Sequence, residues 1–191
     1  MCDVGRLQKE LREIARDEAS GVTVKMVDNS LQHLIGCVPG PRDSPYDGGI
    51  FQVDIKLSDG YPFEPPKMRF ITKVWHPNVS SQTGAICLDI LKDAWSPALT
   101  LKTAMLSLQA LLACPEPKDP QDAQVAEQYT KDNKMYVSTA QYWTAAYARP
   151  DDTNEKVGRL VDMGFSSDSA KKALAACGGD ENVALEKLLG A

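Results

Sequence analysis

Five cysteines and two histidines are the side chains of this 191-residue sequence with the widest range of chemistry. Cys2, Cys37, Cys87, Cys114 and Cys177 are odd in number, widely spaced and free of any CxxC pair. That pattern argues against a disulfide scaffold and a Cys-rich zinc site, and for reduced thiols in the cytoplasm or nucleus. His33 and His76 occur without HExxH and without a cysteine pair, so no metal site is expected. No GxxxxGKS/T or GxGxxG run occurs, so no nucleotide cofactor is expected through those loops. Thiol chemistry remains, because a thiolate is a good nucleophile and can carry an acyl group as a thioester. Cys87 stands in Gly84-Ala85-Ile86-Cys87-Leu88-Asp89. Between Ile and Leu it reads, on its own, more readily as a small buried hydrophobe than as a nucleophile. The others read as a terminal residue (Cys2), a strand residue (Cys37) and small residues ending helices (Cys114, Cys177).

What must position Cys87 is an irregular stretch from Pro77 to Pro97 with no long periodic element. Ile86, Leu88, Ile90, Leu91 and Trp95 give it an apolar cluster, which argues against disorder and for a functional loop. Before it, Val4, Leu7, Leu11 and Ile14 predict an amphipathic helix over 4–17. Its other side, with Arg6, Lys9, Glu10, Arg12, Glu13, Arg16 and Asp17, reads as a solvated face or a docking surface. Alternating apolar residues predict strands over 22–27, 31–38, 51–57 and, among prolines, 68–71, in an antiparallel meander. After it, Thr100 can cap a largely buried helix to Ala113, stopped by Pro115, Pro117 and Pro120. Helices near 121–129 and 131–147 follow. Met135, Tyr136, Tyr142, Trp143 and Tyr147 read as a packing face on the second.

A boundary is expected at Arg149-Pro150-Asp151-Asp152. Beyond it, three short helices are capped by Thr153, Ser167 and Asp180, with turns at Met163-Gly164-Phe165 and Gly178-Gly179. The two parts are 1–149 and 153–191, with the charge of −5 spread over both. A mildly acidic chain disfavours duplex nucleic acid as a partner. No run of 18 apolar residues occurs and MCDVGRLQKE lacks the apolar stretch of a signal peptide, so no membrane association is expected.

Read whole, the central segment resembles the catalytic domain of ubiquitin-conjugating (E2) enzymes. The resemblance rests on YPFEPPKMRF, WHPNV at 75–79, GAICLDIL at 84–91 and WSPALT at 95–100, in that order, and covers roughly residues 5–148. Residues 153–190, with Met163-Gly164-Phe165 and the closing leucines, look like a ubiquitin-associated (UBA) domain. This order is similar to the 25-kDa class of E2 enzymes. It implies an α+β E2 fold with an N-terminal helix, a four-stranded antiparallel meander and C-terminal helices, followed by a three-helix UBA bundle.

The resemblance also implies roles. Cys87 would receive ubiquitin from the activating enzyme (E1) as a thioester and pass it to a lysine amine, building lysine-linked polyubiquitin for proteasomal degradation. Asn78 would stabilise the oxyanion or hold the active-site loop, and Asp119 would orient the incoming lysine. His76 would be structural, its ring bonded to backbone. Cys87 follows Asn78 by nine positions, one more than in the shortest E2 enzymes, which implies a small insertion at Ser80–Thr83. Arg6, Lys9 and Arg12 would meet E1, and Phe63, Pro97 and Ala98 would meet RING-type (E3) ligases. Met163, Gly164, Phe165, Leu188 and Leu189 would meet ubiquitin. No cofactor is implied for the chain itself, ATP being used at the E1 step, and the chain is expected to be a monomer. A catalytically inactive ubiquitin-binding adaptor and a conjugating enzyme for another ubiquitin-like modifier are the alternatives. Cys87, Asn78 and Asp119 together disfavour the first and the UBA region disfavours the second.

Overall fold

The computed structural model describes residues 3–149, 153–177 and 180–190, with the side chains of 153–155 left out. Cys2, the Gly178-Gly179 turn and the link 150–152 lie outside them. The chain divides into two compact units at Arg149/Pro150.

In the first unit, Asp3 caps α1, Val4–Arg16, by accepting from the Arg6 amide. Leu7 and Ile14 turn inward, as their spacing requires. Four strands follow, β1 (Thr23–Val27), β2 (Ser30–Pro39), β3 (Ile50–Lys56) and β4 (Lys67–Phe70), in the order β1-β2-β3-β4, all antiparallel. Alternation puts Leu34, Val38, Phe51, Val53, Ile55 and Phe70 on one buried face. Against it lies α2, Leu101–Ala113, whose Leu101, Ala104, Met105, Leu108, Leu111 and Leu112 are all buried. The approach is close at Gly36, where a Cβ would stand 2.4 Å from Met105 Cε. The end of the Met105 side chain fills the space that a Cβ at Gly36 would take.

Thr100 caps α2 through the Thr103 amide. Asp122 caps α3, Ala123–Lys131, and Asp132 caps α4, Asn133–Tyr147. The buried stripe of α4 is Tyr136, Ala140 and Thr144. Met135, Tyr142 and Tyr147 of the expected packing face are exposed instead. Tyr136 is buried and Trp143 is half-buried against Trp75, so aromatic content marked that face only in part. The 3.6-residue period starting from Tyr136 sets the true one.

The second unit consists of α5 (Thr153–Asp162), α6 (Ser167–Ala176) and α7 (Glu181–Leu189) around Val157, Leu160, Ala170, Ala173, Leu174 and Ala184. Asp180 caps α7 through the amides of Asn182 and Val183. The cap of α6 is Ser166 rather than Ser167, since Ser166 accepts from the Ser169 amide and Ser167 is already helical. Thr153 is the first residue of α5, and its side chain, on which the expected cap depends, lies outside the described residues.

Candidate active site

The irregular stretch has a framework of its own. His76 bridges Val79 and Val79 bridges Ile86, so the chain doubles back between 78 and 87. The Cys87 amide donates to Asn78 O at 2.9 Å, and the Gly84 amide to Ser80 O at 2.9 Å. Ser80–Thr83 form the tip of this turn. Gly84 sits at φ +74°, where a Cβ would fall 2.0 Å from Phe70 O, so the return toward Cys87 requires glycine. Ser81 donates from its amide (3.1 Å) and hydroxyl (2.7 Å) to Asp122 Oδ2, tying the tip to α3. Burial works to raise the Asp122 carboxyl, but these bonds and the capped amides of α3 outweigh it and hold it below the usual carboxylate range.

Asn78 and His76 are buried and fully bonded. Asn78 Nδ2 donates to Glu116 O and Asp119 O, both at 2.9 Å, and Oδ1 accepts from the Glu116 amide at 2.8 Å. The neighbouring Pro77 O accepts from the amides of Gln121 and Asp122. Asn78 and the Pro77 carbonyl together anchor the proline-rich strap 115–122. His76 Nδ1 accepts from the Asn78 amide at 3.0 Å, which puts the ring proton on Nε2, donated to Leu111 O at 2.9 Å. Desolvation pushes the ring's pKa down to about 4, so it stays neutral at ordinary pH. As a neutral ring bonded at both nitrogens it is a spacer between α2 and the Asn78 turn.

The strap carries Asp119 to the sulfur. Cys87 is half-buried, and its Sγ lies 3.4 Å from Asp119 Oδ2. Lys92 Nζ approaches the same sulfur at 3.4 Å. Lys92 was not foreseen. A 3-10 turn, Asp89–Leu91, brings it back five residues after the cysteine. The sulfur opens into a groove of about 570 Å³ lined by Asn78, Asp89, Asp93, Glu116, Lys118 and Asp119, among others. Four carboxylates against two ammonium groups make it a place that attracts an amine. Among the described residues no cluster of three or more His, Cys, Asp or Glu is placed to hold a metal ion. No helix among them is long and apolar enough to cross a membrane.

The other expected site residues fall in three places. Phe63 is 81% exposed, and Pro97 and Ala98 are also exposed. Their two loops are joined by Trp95 Nε1 donating to Pro62 O at 2.8 Å. Lys9 and Arg12 are exposed on α1. Arg6 is half-buried and engaged within the molecule, with Glu10 at 2.8 Å and Leu99 O at 2.7 Å. Glu10, read as part of a solvated face, is buried. Near the C-terminal end, Met163 and Leu189 are exposed, whereas Phe165 and Leu188 pack against the bundle core. Gly164 takes φ +100°, the left-handed turn between α5 and α6.

Comparison with known proteins accords with this arrangement. A family described as "Ubiquitin-conjugating enzyme" matches residues 6–144, and one described as "UBA/TS-N domain" matches 153–188. The chain is 60% identical to ubiquitin-conjugating enzyme E2 27 of Arabidopsis thaliana, covering 100% of both chains. It is 47% identical to ubiquitin-conjugating enzyme E2 K of Homo sapiens, over 97% of this chain and 96% of that one. Among solved structures, a Toxoplasma gondii ubiquitin-conjugating E2 domain superposes with a TM-score of 0.72 at 51% identity, covering 76% of this chain and 98% of that one. The sheet with its flanking helices and the C-terminal bundle thus have one common explanation: the chain belongs to the ubiquitin-conjugating enzyme family, in the class that carries a C-terminal UBA domain.

Proposed function

We propose that Cys87 is the thioester cysteine of this E2 enzyme. The observation that carries the reading is its sulfur, open to a groove and flanked at 3.4 Å by the carboxylate of Asp119. In charging, the Cys87 thiolate attacks the C-terminal carbonyl carbon of ubiquitin held on E1. The E1 cysteine leaves as a thiolate. In discharge, a neutral lysine amine attacks the same carbon, the C–N bond forms, the C–S bond breaks and Cys87 leaves as a thiolate. The amine must shed a proton, and the Asp119 carboxylate is the acceptor within hydrogen-bonding reach of the sulfur. Asn78 acts as a positioning residue, because both its N–H bonds already go to the strap that carries Asp119. This favours the loop-holding role over direct oxyanion stabilisation.

The remaining assignments follow the same reading. Lys9 and Arg12 steer E1, and Phe63 with Pro97 and Ala98 meets RING-type ligases. Met163 and Leu189, presented by Gly164, Phe165 and Leu188, meet ubiquitin. A tethered ubiquitin-binding unit raises the local ubiquitin concentration, which suits growth of polyubiquitin on a substrate lysine. The enzyme works as a monomer in the cytoplasm or nucleus, with ATP consumed by E1.

The test is charging with E1, ATP and ubiquitin, resolved on gels with and without thiol. The expected result is a thiol-sensitive adduct that is lost in Cys87→Ala. An adduct formed only with a different ubiquitin-like modifier, or none at all, would overturn the reading in favour of a different modifier or an inactive adaptor.

A further inference from the structure

Glu10 is a carboxylate buried to 3% exposure on a helix whose other charged residues are exposed or, at Arg6, half-buried. Its Oε1 accepts from Arg6 Nε at 2.8 Å. Its Oε2 accepts from the Tyr61 hydroxyl at 2.7 Å and from the Leu101 amide at 2.8 Å. That amide is the first of α2, one of the helix's unpaired N–H groups, so the carboxylate also meets the positive end of the helix dipole. Arg6 continues the path, its Nη2 donating to Leu99 O at 2.7 Å. The Trp95 indole, donating to Pro62 O, closes it. A ring of hydrogen bonds thus runs from α1 to the Phe63 loop, across to the Pro97–Ala98 loop, and back to α1.

We propose that Arg6 and Glu10 are a positioning pair that fixes the Phe63 and Pro97–Ala98 loops relative to each other for the ligase. Arg6 then acts through those loops, not as a partner contact on the basic helix. Its guanidinium is committed to two charge-assisted hydrogen bonds, one to a buried carboxylate, and a partner's surface carboxylate would have to displace them. Lys9 and Arg12, exposed on the same helix, need break nothing to bind. Holding two loops in their bound arrangement removes an ordering cost that the ligase would otherwise meet on binding. The effect therefore belongs in apparent affinity for the ligase, not in the chemistry at Cys87.

The proposal rests on the ligase-facing reading of these loops, and its test separates the two. The full chain is charged with ubiquitin, and discharge to free lysine is followed with increasing amounts of an isolated RING domain that accelerates the wild type. Glu10→Gln, which keeps the shape and removes the charge, should raise the KM for the RING domain about fivefold or more. The rate at saturating RING domain and the unstimulated rate should stay within about twofold of wild type. Arg6→Ala should raise KM similarly, and adding it to Glu10→Gln should change KM by less than about twofold, since the two act as one unit. Tyr61→Phe removes one link of the ring without removing a charge and should move KM the same way by a smaller factor. It serves as the second variant should Glu10→Gln fold poorly.

An unchanged KM in Glu10→Gln or Tyr61→Phe overturns the proposal. So do effects of Arg6→Ala and Glu10→Gln that multiply, which would make Arg6 a direct contact. Phe63→Ala separates the failures. If it too leaves RING stimulation intact, or if no RING domain accelerates the wild type, the ligase-facing reading falls and the proposal with it. If Phe63→Ala removes stimulation while Glu10→Gln does not, the positioning pair alone is wrong.

Discussion

The two units solve different problems with different materials. The first buries Glu10, Asp54, His76, Asn78 and Thr144, each of them hydrogen-bonded. Among the described residues the second buries no polar side chain, and it leaves Met163, Leu189, Val161 and Val183 exposed. Burying polar groups is costly unless each finds a partner, so it is found where geometry must be fixed. The reaction proposed at the Cys87 sulfur needs that fixity. A surface for recognition needs accessible apolar atoms on a bundle that holds its shape.

The contrast is most exposed at Asn78. Asn78→Ala leaves Glu116 O, Asp119 O and the Glu116 amide without their partner, at about 1–3 kcal/mol each where water cannot substitute. The expected outcome is a drop of about 4 kcal/mol in the stability of the first unit. Discharge to lysine should slow by about a hundredfold, more than charging does, as Asp119 leaves the sulfur. Denaturant midpoints and single-turnover gels measure both. Slow discharge with unchanged stability would break the strap-holding account.

The next effect is on pH. His76 is neutral when folded because burial lowers its pKa from 6.5 to about 4. The unfolded chain binds the proton more readily between those values. The stability His76 confers is therefore full above about pH 6.5, falls as pH drops through this window, and is reduced by about 3 kcal/mol below pH 4. Titration of the ring by NMR should show Nε2–H imidazole persisting to about pH 4. A ring that titrates near 6.5 would remove this distinction between the units.

Asp119→Asn keeps the side chain's shape and removes its charge. It should slow discharge about tenfold and leave charging within about twofold. Pulse-chase gels with free lysine as acceptor report both steps, and equal loss in the two would deny Asp119 its place beside the amine. The smallest catalytic effect belongs to the second unit. Met163→Asp should weaken ubiquitin binding about fivefold in a titration while charging of Cys87 is unchanged. A loss of charging in that variant would mean the units are not separate in function.

Much of this was legible in the sequence. All four strands and the helices around them follow from periodicity and caps, because alternation and the 3.6-residue period report which face is buried. Cys87 was visible as a residue but ambiguous alone, since a cysteine between Ile and Leu suits a core equally well. The motifs around it turned the reading toward a nucleophile, and the resemblance also pointed to Asn78 and Asp119. It could not choose between two roles for Asn78, because a role depends on where two N–H groups point. Glu10 was misread because its charge outweighed its position: three residues after Leu7 and four before Ile14, it falls on the buried stripe of α1. Lys92 left no signal beyond its spacing of five from Cys87, which acquires meaning only through the 3-10 turn. At Ser166-Ser167 two serines stand side by side, and residue type alone does not separate the cap, Ser166, from the first helical residue.

The strap that carries Asp119 has proline at 115, 117 and 120. Each fixes one backbone torsion, and Pro120 also confines Asp119 itself to extended conformations. These restrictions hold in the unfolded chain too, so little conformational freedom is lost when the strap settles against Pro77 and Asn78. The few bonds to Asn78 and the Pro77 carbonyl can hold it for that reason. The carboxylate that waits beside the sulfur is placed by chain stiffness as much as by hydrogen bonds, before an acceptor arrives.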